Sequence, residues 1–170
     1  MLDKKVAELL DQQVNKEFYS AYLYLKFANY YAENGLNGFS NWYRIQAQEE
    51  RDHAILFMDY MHNNDLSVTL AAIDEPEAEL NNNLDPLLQG LEHEKYVTSL
   101  VHDIYHAAYE AKDFRTMQFL DWFVKEQGEE EVNASDLIKK MEMFGSDAKG
   151  LYLLDQEMAA RTYNPPSLTL

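Results

Sequence analysis

One set of side-chain types recurs at a fixed offset along this chain, and few architectures can use it. Glu17 is followed by Glu50 and, one helical turn on, by His53. Glu94 is followed at the same interval by Gln127 and, one turn on, by Glu130. A single shift along the chain therefore carries each member of the first set onto its counterpart in the second. Residues three or four apart on a helix share a face, so Glu50 and His53 reach one point, as do Gln127 and Glu130. Four helices built on this pattern would aim all six groups at one central spot. Bundles that hold two metal ions use that geometry, with one Glu from each of two helices and an i, i+3 pair from each of the others.

The rest of the chain supplies four long helices. Val6, Leu9, Leu10, Val14, Ala21, Leu25 and Ala28 recur at helical spacing over 4–33. Gly35 suits the left-handed position that ends such a helix. A second periodic run, 39–63, includes Trp42, Ile45, Leu56 and Met61. Runs of this length span about 40–45 Å, and the short link between them makes the two helices antiparallel neighbours. Residues 64–85 are polar and rich in breakers, with Asp74-Glu75-Pro76-Glu77 and Asn81-Asn82-Asn83. A connection this long is expected only where it crosses the length of a bundle. Asp85-Pro86 reads as an N-cap followed by proline at the first helical position. Helix three is expected over 86–111. Asp113 caps a fourth over 114–143, and a short fifth runs over 147–160 with Leu151, Leu153, Leu154 and Met158. No strand pattern appears. The fold class is all-α: one domain over 1–170, a four-helix bundle with a long crossover and a short C-terminal helix.

The 170 residues contain no Cys, which excludes disulfides, thiolate metal sites and iron–sulfur clusters. Any metal must be held by oxygen and imidazole, a donor set suited to iron, manganese or zinc. The net charge of −16 argues against nucleic acid as a partner and favours cations. No apolar run approaches membrane-spanning length. The N-terminus has no apolar signal core, so a cytoplasmic location is expected.

Glu17, Glu50, Glu94 and Glu130 lie among apolar positions, and a buried carboxylate is costly unless paired or bound to a cation. Arg51 and Lys125 are the nearest candidate counter-charges, but each sits about 100° round its helix from the inward neighbour. Metal is the simplest compensation, with Glu50 as the bridge. Glu49, Glu126 and Glu129 form a second layer that either holds a third ion or is a solvated face. Tyr24, two turns after Glu17, points to the same side as an electron or hydrogen-bond donor or as core packing. His102 and His106 have the spacing of a zinc pair but no Glu-rich partner, and a polar or packing role is favoured. His62 suits a helix C-terminus, and His93 points away from Glu94. Glu110, Asp113 and Asp121 are candidates for an ion channel. Two further readings stay open: a di-iron oxidase with an organic substrate, which needs an apolar pocket beside the metals, and a helical bundle without metal.

These residues resemble the ferritins, and most of all the bacterial non-haem group. The likeness rests on Glu17, the stretch Ala47-Gln48-Glu49-Glu50-Arg51-Asp52-His53, Glu94, Lys125-Glu126-Gln127-Gly128-Glu129-Glu130 and the late Gly150-Leu151-Tyr152. It implies oxidation of Fe(II) by dioxygen or hydrogen peroxide and storage of a ferric mineral in a shell of 24 subunits. By position, it gives Glu17, Glu50 and His53 to a first iron. Glu50, Glu94 and Glu130 go to a second, with Gln127 beside it. Glu49, Glu126, Glu129 and Glu130 would hold a third ion in transit. Haem-containing relatives place Met after the Glu of the helix-two motif; Arg51 stands there instead, which implies no haem.

Overall fold

The computed structural model describes residues 2–170, which form five helices and, among those residues, no strand. Helix α1 spans Lys4–Glu33, α2 Asn37–His62, α3 Asp85–Glu110, α4 Phe114–Phe144 and α5 Ala148–Ala159. Asp3 starts α1 by accepting from the Lys5 and Val6 amides. Gly35, at φ +77°, turns the chain into α2 in the left-handed conformation that glycine adopts without strain. Helices α1 and α2 pack as one hairpin and α3 and α4 as another, with α1 also against α3.

The crossover runs along α1 and is held by its polar side chains. The Thr69 amide donates to Asp11 Oδ1 at 2.7 Å, and the Ala71 amide donates to Asn15 Oδ1 at 2.8 Å. Farther up, Lys26 donates to the Pro76 carbonyl at 2.6 Å and the Tyr31 hydroxyl to the Asn83 carbonyl at 2.7 Å. These bonds satisfy the backbone of an irregular segment and bring it to the end of the bundle where α2 begins. There Asp85 differs from expectation. It is the first residue of α3, not its N-cap, and its carboxylate turns back to accept from the Asn81 and Asn82 amides at 2.7 and 3.2 Å. Asp113 does cap α4, accepting from the Thr116 amide at 3.1 Å.

Two apolar clusters fill the bundle. One, near α5, contains Phe27, Tyr31, Phe39, Leu87, Met141 and Leu154. The other, at the opposite end, contains Leu10, Phe57, Met61, Ile104, Leu120 and Phe123. Between them lies a buried polar layer of Gln13, Glu17, Ser20, Gln46, Glu50, His53, Glu94, Gln127 and Glu130. Helix α5 docks on α2 and α4. Asp155 accepts from the Phe39 amide at 3.0 Å, and a Cβ on Gly38 would lie 1.7 Å from the Asp155 carbonyl oxygen. Only glycine permits that approach. Leu25, part of the helically spaced apolar set, and Leu153 of the fifth helix are 48% and 57% exposed.

Candidate metal centre

The polar layer stands at mid-helix, where the backbone is committed to its own hydrogen bonds and only side chains can compensate a charge. One ligand atom each from Glu17, Glu50 and His53 lies within 4.8 Å of the others. All three are essentially inaccessible to solvent. Glu17 Oε1 accepts from Gln13 at 2.8 Å, and Glu50 Oε1 accepts from Gln46 at 3.1 Å. His53 Nδ1 lies 3.4 Å from Glu50 Oε2, close enough for an ion pair but outside hydrogen-bond geometry. Glu17 Oε2 and His53 Nδ1 are thus buried without a hydrogen-bond partner. Such atoms are costly to leave bare, and both belong to the same three-residue cluster. Two carboxylates and an imidazole at this separation fit a hard or borderline divalent cation.

The second half of the layer adjoins this group. Gln127 Nε2 donates to Glu94 Oε2 at 3.1 Å and to Thr98 Oγ1 at 3.3 Å. Gln127 therefore offers Glu94 its nitrogen. The Tyr24 hydroxyl donates to Glu94 Oε1. Glu130 is buried, under the influence of Glu50 and Gln46. Among the described residues the layer makes one ion pair, between His53 and Glu50; no Lys or Arg pairs with Glu17, Glu94 or Glu130.

Protons take the place of cations here. Burial, and then the Glu50 charge, push the Glu17 carboxyl up to about 8. Burial and the same charge take Glu130 to about 7. Burial raises Glu94 well above the usual carboxylate range, helped by Glu50 and Glu130. Burial opposes charge on His53, but contact with Glu50 outweighs it and carries the imidazole up to about 10. Burial also opposes charge on Glu50, where His53 and Gln46 prevail and its pKa falls. Most of the layer is thus held neutral, apart from one carboxylate–imidazolium pair. Divalent ions would replace those protons.

The outer layer is less converged. Glu49 Oε2 receives Arg161 at 2.5 Å. Glu126 is half-buried, and its pKa is raised, chiefly by that burial. Glu129 is exposed, 3.3 Å from Lys125 in an i, i+4 pair. Glu49, Glu126 and Glu129 form no compact cluster with Glu130. Arg51 is exposed and pairs with its neighbour Asp52 at 3.2 Å. A cavity of about 20 Å³ touches Tyr24, Gln46, Glu94 and Glu130. It holds roughly one water and has no room for an organic substrate.

Known proteins resemble this chain along most of its length. The family profile described as ferritin-like domain matches residues 7–144. The chain belongs to the ferritin family. It is 36% identical over 156 residues to a bacterial non-heme ferritin of Campylobacter jejuni, covering 92% of this chain and 93% of that one. It is 35% identical to a bacterial non-heme ferritin of Staphylococcus saprophyticus, with 96% and 98% covered. Among solved structures it resembles an open pore ferritin of the archaeon Archaeoglobus fulgidus at 41% identity and TM-score 0.92, with 95% and 100% covered. A humanized archaeal ferritin superposes with TM-score 0.94 at 40% identity, with 97% and 100% covered.

In this ferritin several side chains that touch the polar layer or its margin lie outside the repeat. Gln13 and Gln46 each precede a carboxylate of the layer by one helical turn, and the interval between them equals that from Glu17 to Glu50. That periodicity is visible in the sequence. Arg161 carries no such signal, since 112 residues separate it from Glu49. His93 is turned from Glu94 but stays beside the centre: its Nε2 lies 2.7 Å from Ser20 Oγ and its ring meets Tyr24 edge-on at 5.9 Å. His62 and His102 are exposed, as is His106. Of the channel candidates, Asp113 caps α4 and Asp121 accepts from the Tyr105 hydroxyl at 3.0 Å; Glu110 is exposed.

Proposed function

We propose that Fe(II) is oxidised in pairs at the polar layer of this ferritin, and that the Fe(III) formed is stored as mineral inside a shell of 24 chains. Iron is the substrate and the cargo. Glu17, Glu50 and His53 receive one ion. Glu94 and Glu130 receive the other, with Gln127 beside it and Glu50 between the two. Binding displaces the protons held by Glu17, Glu94, Glu130 and His53. Two Fe(II) ions then give up two electrons, which with two protons reduce dioxygen to hydrogen peroxide, or hydrogen peroxide to two waters. Tyr24, hydrogen-bonded to Glu94, stands where it can supply a further electron or proton. The half built on Glu94 and Glu130 has no imidazole, so its Fe(III) leaves more readily for the interior of the shell. No haem takes part in this scheme, and the reaction belongs in the cytoplasm. No described helix is long and apolar enough to cross a membrane.

The observation that supports this reading is the pair of bare buried ligand atoms, Glu17 Oε2 and His53 Nδ1, in a layer with no Lys or Arg to balance it. The small cavity favours oxidation of iron itself over oxidation of an organic molecule. Fe(II) added in air, followed by size-exclusion chromatography with iron measured in each fraction, tests it. Iron far above three per chain should elute with a shell of 24 chains, each of 19.9 kDa. A monomer or dimer carrying about two metal ions would refute storage and leave the oxidase. Glu50→Ala should slow the initial oxidation by roughly 100-fold, since it removes a ligand shared by both ions; unchanged kinetics would refute the site.

A further inference from the structure

Arg161 lies two residues beyond α5 and turns back onto α2. Its guanidinium stacks 4.1 Å from the centre of the Trp42 ring. One arm donates to the Trp42 carbonyl at 3.2 Å and to Gln46 Oε1 at 2.9 Å, and the other donates to Glu49 Oε2 at 2.5 Å. The Arg161 carbonyl accepts from Asn41 at 3.1 Å. Beyond it the tail stays on the bundle. Tyr163 donates to Asp52, and Trp122 Nε1 donates to Ser167 at 3.0 Å. Backbone and side chain of Arg161 are thus both fixed on α2, with the side chain only 16% exposed.

A guanidinium only donates, so the oxygen of Gln46 must face it and the Gln46 NH₂ must face away. That NH₂ is the donor to Glu50 Oε1. The same guanidinium gives Glu49 a charge-assisted bond, at a carboxylate only 18% exposed, where a bare charge is costly. One side chain from outside the four-helix bundle therefore sets the state of a carboxylate in the outer layer and, through one amide, the setting of the central carboxylate.

We infer that Arg161 is a positioning residue that holds Glu49 as a tethered resident cation, so that an outer iron takes Glu49 only by displacing it. Displacement also frees Gln46 to turn, which couples occupation of the outer position to the grip on Glu50. The inference rests on the centre proposed above. It assigns to the tail after α5 a control over when iron moves outward, without contact between Arg161 and the reacting pair.

Anaerobic titration calorimetry with Fe(II) on the assembled full-length protein tests it. The wild-type chain should bind two ions tightly and a third at least tenfold more weakly. Arg161→Ala should tighten the third at least tenfold, Arg161→Lys should leave it weak, and Glu49→Gln added to Arg161→Ala should abolish the gain. Should Arg161→Ala fail to assemble, Arg161→Gln removes the charge while keeping a planar group against Trp42. Two tight ions with an unchanged third, or a gain that survives Glu49→Gln, would overturn this inference alone. Absence of the two tight ions from the wild-type chain would overturn the centre and the inference together.

Discussion

Glu17 takes its orientation from a single hydrogen-bonding neighbour. Gln13 gives it one hydrogen bond at 2.8 Å and leaves Oε2 bare. Partners of this kind fix the direction of a ligand, and their loss typically lowers metal affinity about 10–100-fold. Gln13→Leu should weaken Fe(II) binding in anaerobic titration by that factor; unchanged affinity would mean that packing alone orients Glu17. The same layer dictates a pH dependence. Glu17 and Glu130 have folded pKa values of about 8 and about 7, above their ordinary 4.5, and His53 of about 10, above 6.5. For all three the folded state binds more protons than the unfolded one, so metal-free stability falls as pH rises. The carboxyl contributions fall between their ordinary and folded values, from about pH 4.5 to about 8, and that of His53 from about 6.5 to about 10. Metal replaces those protons, so a divalent ion should flatten or reverse the fall. Melting temperatures of metal-free and Zn(II)-loaded protein at pH 5, 7 and 9 would show it. A metal-free protein equally stable at pH 5 and 9 would contradict the assignment.

Gly38 shows how far one helix depends on a position with no side chain. A Cβ there would overlap the backbone of Asp155, which cannot swing aside as a side-chain tip can. Gly38→Ala should therefore detach α5 and cost more than the ~1–3 kcal/mol of ordinary overpacking. Limited proteolysis should then cut near 145–147, where wild-type protein resists; equal resistance would show that α2 shifts to accommodate the methyl. The four long helices are legible in the sequence because apolar spacing, Gly35 and Asp113 each act within a few residues. The polar layer is legible too, since one offset shared by three pairs of residues survives any detail of packing. The contact of Gly38 with Asp155 and the bond from Arg161 to Glu49 are hidden, because both join segments far apart in the chain. Leu25 falls on the inward side by period and on the outside in the structure, because period alone does not tell how wide the buried stripe is. For Glu129 the local sequence holds a competing signal: Lys125, one turn before it, is a surface partner within reach.

The exposed Leu25 belongs to an apolar surface that matters once many chains are considered together. With Phe18, Ala21, Tyr22, Ala47 and Ile73 it lines an apolar groove of about 650 Å³ on the outer face of α1 and α2. Tyr22 and Leu25 are both about half exposed, while Arg44 and Arg51 stand at its margin. Each chain bears a charge of −16, so copies brought together repel one another. Salt screens that repulsion over about 8 Å at physiological strength, but attraction must come from apolar contact and from the few basic groups at such a margin. This face would supply both if it seated against the same face of a second copy. A two-fold contact uses each residue twice, so one substitution counts double. Leu25→Glu would place two like charges in a closed apolar seam, where each unpaired charge costs several kcal/mol. Light scattering should then find dimers or monomers in place of the shell, with helical content retained and more dissociation at low salt. Leu25→Met, which conserves volume, should assemble as wild type. A Leu25→Glu protein that still elutes as an intact shell would place the contact between copies on another face of the bundle.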